Sequence, residues 1–192
     1  MASFLTAFPI VENNEGFYAH VPGDSGGETW IGIARNANPS WAGWPIVDSY
    51  KINGGWPGAT YRDQVAYANK VLRSDTRLQA LVINFYENTE WHQIDGDQIQ
   101  NDSIADFILD WGVNAGMSIP IKHLQQILGV TVDGKIGPNT LQTLNEANQQ
   151  SVFNALKASR IQFYHAVIAA HPDYQKFLPE WLERTNEMTF KP

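Results

Sequence analysis

Asn14-Glu15-Gly16-Phe17-Tyr18, followed by Gly23-Asp24-Ser25-Gly26-Gly27-Glu28-Thr29-Trp30-Ile31-Gly32-Ile33, is the stretch whose reading decides the fold. Ahead of it, residues 3–16 read as a short helix, with Phe4, Leu5, Phe8 and Val11 on one side and Pro9 inside. From Gly16 to Ala34 the character changes. Gly16, Pro22, Gly23, Gly26, Gly27 and Gly32 are turn formers, and Thr29–Ile33 is β-prone. The spacing predicts a small hairpin or meander directly after the first helix.

Outward from there the chain turns helical. Residues 35–59 are loop-rich, with short helical turns and three indoles, Trp41, Trp44 and Trp56. Thr60 suits an N-cap, with Asp63 three positions on. Apolar residues at helical spacing continue through 76–89, 101–113, 119–128, 151–170 and 177–188. Asp133-Gly134-Lys135-Ile136-Gly137-Pro138 is a turn cluster, and Pro138 fits the first turn of another helix. The expected class is therefore a mainly helical α+β fold with one small β element.

The 192 residues carry 13 Lys and Arg against 20 Asp and Glu, a formal charge of −7. That balance argues against a protein that grips nucleic-acid phosphate or docks on anionic lipid by charge. No cysteine is present, which removes disulfides, thiolate zinc sites and thiol nucleophiles. The histidines at 20, 92, 123, 165 and 171 form no His-x-x-x-His pair, and Asp95-Gly96-Asp97 lacks the rest of a calcium loop. Neither a metal nor a cofactor is expected. The N-terminus has no Lys or Arg before its short apolar run, so neither a secretion signal nor membrane insertion is expected.

Two carboxyls in unlike surroundings are what cleavage of a glycosidic bond requires. One stays protonated and gives its proton to the leaving oxygen. The other stays ionised, and activates water or stabilises an oxocarbenium-like transition state. Glu15 stands near Val11, Phe17 and Tyr18, where burial would raise its pKa, whereas Asp24 stands among Gly and Ser. Thr29 adds a hydroxyl, and Gly26 and Gly27 let backbone and ligand come close. The same residues also read as a plain turn and a solvated helix end, and Glu12 and Glu28 compete for either role.

The run Glu15-Gly16-Phe17-Tyr18, then Asp24-Ser25-Gly26-Gly27-Glu28-Thr29 and Gly32-Ile33, resembles the signature Glu-Gly-Gly-Tyr … Asp-x-Gly-Gly-x-Thr … Gly-Ile of glycoside hydrolase family 108. These are N-acetylmuramidases of phages and bacteria that include secretion activator proteins. Phe17 stands where the family has its second Gly. Val113-Asn114-Ala115-Gly116, Leu124–Val130 and Asp133–Leu141 are similar to the peptidoglycan-binding region that follows the catalytic segment in that family.

The resemblance implies a lysozyme-like fold, with a catalytic segment over 1–94 and a helical peptidoglycan-binding region over 95–192 packed into the same compact body. It implies cleavage of the β-1,4 bond between N-acetylmuramic acid and N-acetylglucosamine, with peptidoglycan strands as partner and a monomer as the working form. Glu15 falls on the family's catalytic Glu, as general acid, and Asp24 on its Asp, assisted by Thr29. Tyr18, Trp30, Trp41 and Trp44 are candidate faces for sugar rings. Asn114 either ties a helix to a loop or reaches substrate. The protein would be made in the cytoplasm and act at the wall after release by a holin, as an endolysin does, or by a secretion route. A non-catalytic wall-binding protein and a lytic transglycosylase are the alternative readings.

Overall fold

The computed structural model describes residues 1–21 and 24–192, with the backbone alone for 13–15. Pro22 and Gly23, expected as turn formers, lie outside the described residues. The elements run α1 (Phe4–Glu15), β1 (Tyr18–Ala19), β2 (Thr29–Trp30), β3 (Ile33–Ala34), α2 (Trp44–Ser49), α3 (Tyr61–Ser74), α4 (Thr76–Thr89), α5 (Asp102–Ala115), α6 (Ser118–Leu128), α7 (Pro138–Glu146), α8 (Gln149–Ala170) and α9 (Leu178–Glu187). Short 3-10 turns cover Trp91–Ile94, Gly96–Gln98 and Pro172–Phe177. This is the mainly helical, lysozyme-like α+β class that the sequence predicts.

The chain packs as two compact units, Glu12–Glu87 on one hand, and Met1–Val11 with Asn88–Pro192 on the other. The packing division thus falls at 87/88, and residues 1–11 side with the C-terminal portion. The reason lies in contacts far apart in sequence. The Ala2 N–H donates to the Ile99 carbonyl at 2.8 Å, and the Phe4 ring lies 5.7 Å from Trp91.

In the unit Glu12–Glu87, β1, β2 and β3 form one antiparallel sheet in that order, with Tyr18 opposite Trp30 and Trp30 opposite Ile33. Strands of two residues have few ladder bonds, so other groups hold them. The Tyr18 N–H donates to Asn69 Oδ1 on α3 at 2.8 Å, and the His20 N–H to the Tyr61 hydroxyl at 3.0 Å. Between β2 and β3 stand Ile31 and Gly32, at φ 42° and 69°. Such a pair gives the twist a two-residue hairpin needs. It also puts a β-branched residue in the left-handed region, which costs on the order of 1–3 kcal/mol. Ile31 is held there by full burial and by the Tyr86 hydroxyl, which donates to its carbonyl at 2.8 Å. The capping box expected at Thr60 and Asp63 opens α3.

In the unit of Met1–Val11 and Asn88–Pro192, Phe4, Ala7, Phe8 and Val11 form the buried face of α1, while Leu5 points outward at 69% exposure. Helix α5 is buried without a break from Ser103 to Gly112 except at Asp106 and packs against α6 and α8, as a helix apolar nearly all round must. Its single wholly buried charge, Asp110, lies 2.7 Å from Arg160 and 2.8 Å from Arg184. The turn before α7 is a connector built round the buried Gln125 side chain. Its Oε1 accepts from the Asp133 and Gly134 N–H groups, and its Nε2 donates to the Lys135 carbonyl.

Candidate active site

Helix α1 ends at Glu15 because Gly16 adopts φ 68°, a left-handed stop that a side chain would strain. The Glu15 side chain itself lies outside the described residues. Three residues later β1 begins, so Glu15 stands at the entry to the sheet that carries the other candidates.

Asp24 is exposed and sits in a tight turn. Its Oδ1 accepts from the Gly26 N–H at 3.0 Å, and its carbonyl accepts from the Gly27 N–H at 3.1 Å. Thr29 opens β2 and is half-buried. Gly26 lies between them. A Cβ added to it would stand 3.6 Å from Asp24 Oδ1, 3.8 Å from Thr29 Oγ1 and 3.3 Å from the Ala34 Cβ. The turn therefore gathers a carboxylate and a hydroxyl round one bare stretch of backbone. A side chain at residue 26 would fill that space.

Glu28 is a carboxylate of a different kind. It is buried, and both its oxygens are taken. Arg35 Nε lies 2.9 Å from Oε2, Lys51 Nζ lies 2.8 Å from Oε1, and the Tyr18 hydroxyl donates to Oε1 at 2.7 Å. Arg35 and Lys51 also hold Asp48, at 2.8 and 2.7 Å. The Arg35 hydrogen bond, and then that from Lys51, keep Asp48 below the ordinary carboxylate range. Burial and the bond to Glu28 raise the Tyr18 hydroxyl well above a free phenol, so it stays a donor. Glu28 thus fastens the hairpin, with two cations and a phenol on its two oxygens.

The aromatic candidates part company. Tyr18, Trp30 and Trp44 are buried, and their rings are part of the packing. Tyr18 meets Trp56 edge-on at 5.0 Å, Trp30 is wholly enclosed, and Trp44 lies under Arg35 at 4.4 Å. Trp41 alone of the four keeps an open part, beside Trp44 at 5.1 Å. Phe17 is half-buried, with the Arg73 guanidinium 4.1 Å over its ring. Gly27 presses against Asn36, whose amide carbon would lie 3.0 Å from an added Cβ. Asn114 belongs to the other unit. It is exposed and accepts the Tyr164 hydroxyl at 2.7 Å, tying α5 to α8.

Two residues escaped the sequence reading. Asn36 clamps the Asp24 turn. Its N–H donates to the Gly26 carbonyl at 3.1 Å and its Nδ2 to the Ser25 carbonyl at 2.9 Å. No spacing rule marks it. The Glu28–Arg35 pair was findable, because once Thr29 pairs with Ala34, residues 28 and 35 face each other across the hairpin. Among the described residues no group of three or more potential metal ligands gathers, and no helix is long and apolar enough to cross a membrane.

Residues 8–116 match the family described as Glycosyl hydrolase 108, and residues 119–186 match the one described as Predicted Peptidoglycan domain. The junction falls between α5 and α6. Among solved structures, that of Brucella abortus SagA is similar, with a TM-score of 0.57 and 22% identity over 96% of this chain and 94% of that one. At that identity the likeness speaks for the fold. No curated protein matches the chain significantly.

Proposed function

Because the chain belongs to the Glycosyl hydrolase 108 family, we propose that it is an N-acetylmuramidase that hydrolyses the β-1,4 bond between N-acetylmuramic acid and N-acetylglucosamine. The family makes it a glycoside hydrolase, and the peptidoglycan region makes the bacterial wall its substrate. In our reading Glu15 donates a proton to the glycosidic oxygen as the bond to the anomeric carbon breaks. Asp24 stabilises the positive charge that develops there, or takes the proton of an attacking water, and Thr29 orients that water. The observation that carries the reading is that Asp24 and Thr29 both lie beside the bare backbone of Gly26. The competing carboxylate, Glu28, is occupied by two cations and a phenol. We place the action at the cell wall, reached through a holin or a secretion route, with the monomer as the working form.

The test is reducing-end release from purified sacculi. Glu15→Gln should keep the circular dichroism of the parent and lower release by roughly 10²–10⁴-fold, the usual share of a general acid. Unchanged release from that variant would refute the assignment. Products ending in 1,6-anhydro rings would make the enzyme a transglycosylase, and sacculus binding with no release by the parent would leave only adhesion.

A further inference from the structure

In the unit of Met1–Val11 and Asn88–Pro192, a cavity of about 270 Å³ is lined by Asp95, Gln98, Pro138, Leu141, Gln142 and Asn145. Two of these come from the segment before α5, Asp95 between the two 3-10 turns and Gln98 at the end of the second. The other four come from α7, where they recur at helical spacing along one face. The two walls are locked together. Asn145 Nδ2 donates to the Gln98 carbonyl at 2.9 Å, and its Oδ1 accepts from the Gln100 N–H at 3.0 Å.

The lining is chemically one-sided. Asp95 is its single ionisable group, is half-buried, and has no hydrogen bond or ion pair from its carboxylate among the described residues. No cation lines the cavity. Gln98 and Gln142 add amides, and Leu141 with Pro138 adds an apolar side. A carboxylate beside the first turn of α7 repels an anion from a place where the helix terminus would otherwise welcome one. The volume lies just below the roughly 300–1,000 Å³ of small-molecule sites. That is room for one long side chain, and too little for a run of sugars.

We propose that this cavity binds the terminal ammonium of the diamino acid in a peptidoglycan stem peptide. The ammonium pairs with Asp95, its methylene stem lies on Leu141 and Pro138, and the neighbouring peptide groups meet Gln98 and Gln142. Pairing of one cation with one otherwise idle carboxylate gives the site its sign. The peptide as ligand rests on the peptidoglycan reading above, since α7 lies inside the matched Predicted Peptidoglycan domain. The site would hold the enzyme to the wall by peptide, apart from any hold on glycan.

The experiment is an amide NMR titration of the full chain with a synthetic Lys-containing stem tetrapeptide, and with the same peptide acetylated on its side-chain amine. Shifts confined to residues 95–100 and 138–145 are expected. Affinity should fall at least tenfold on acetylation, and equally in Asp95→Asn. Asn tolerates the φ of 48° found at this position, so that variant keeps the turn. No shifts in these segments, equal binding of the acetylated peptide, or shifts scattered over other carboxylates would each overturn the site. Reducing-end release by the parent and by Asp95→Asn is measured alongside on peptide-free glycan and should be equal. Absent release by the parent would sink the muramidase reading and leave the peptide site standing. Release without peptide shifts would do the reverse.

Discussion

Each compact unit encloses a carboxylate held by two cations, and the two arrangements differ in what surrounds them. Asp110 and Arg160 are both at 0% exposure inside a helical packing, with Arg184 closing the set at 15%. Glu28 is as closely paired, but Arg35 stands at 29%, Lys51 at 15%, and both cations also reach Asp48, itself 47% exposed. Water screens the hairpin set and gives its members a second partner. In the helical set Arg160 is wholly buried, with its Nε donating to the Tyr164 hydroxyl at 2.9 Å, and water reaches the set through Arg184. A buried pair in a dry interior is costly to break, because the survivor keeps a charge it cannot solvate. A half-wet pair mainly sets geometry. In this chain the dry set fastens packing, and the half-wet one fastens the turn that presents Asp24 and Thr29.

The contrast can be broken at its strongest point first. Arg160→Met should lower unfolding free energy by about 3 kcal/mol, read by urea denaturation, because Asp110 then loses the cation that shares its full burial. A loss under about 1 kcal/mol would show that the interior is wetter than its burial implies. Glu28→Gln should cost about 1 kcal/mol, since Arg35 and Lys51 retain Asp48. Its larger consequence should be slower reducing-end release, as the hairpin loses its brace. A stability loss equal to that of Arg160→Met would erase the distinction.

A smaller effect sharpens the comparison through pH. Asp106, on α5, has a buried Oδ1 without a partner. Burial, and then the neighbouring Asp102, push its carboxyl up to about 6, with Asp110 adding to this and Lys191 opposing it. A carboxyl raised on folding supports the fold below its unfolded pKa, near 4, and loses that support as pH rises through about 6. Asp106→Asn should therefore match the parent at pH 4 and exceed it at pH 7 by on the order of 1 kcal/mol, after allowance for screening. Equal stability of the two proteins at both pH values would contradict the raised carboxyl.

What the sequence disclosed follows from the range of the forces involved. Periodicity is local, and the apolar positions Ile104, Phe107, Ile108 and Trp111 announced α5 without any knowledge of its partners. The Thr60–Asp63 cap was equally local. The division of the chain was not, because Phe4 meets Trp91 through a fold that no window of residues contains. At the site, the order of Asp24, Gly26 and Thr29 was readable as a motif. Which aromatic rings stay open was not, since Tyr18 and Trp30 look the same in sequence as Trp41. Burial decides between them, and burial belongs to the assembled unit. Likewise Glu28 competed with Asp24 on paper until Lys51, far along the chain, took its second oxygen.

The attachment of residues 1–11 to the C-terminal unit sets a timetable for the newborn chain. Phe4, with Phe8 packed on it, and the amide of Ala2 have no lasting place to go until Trp91 and Ile99 have left the ribosome. The hairpin can close early from its own residues and those of α3 and α4. The front of the helix that leads into it must wait, and a polypeptide cut short before Trp91 would leave those rings open to aggregation.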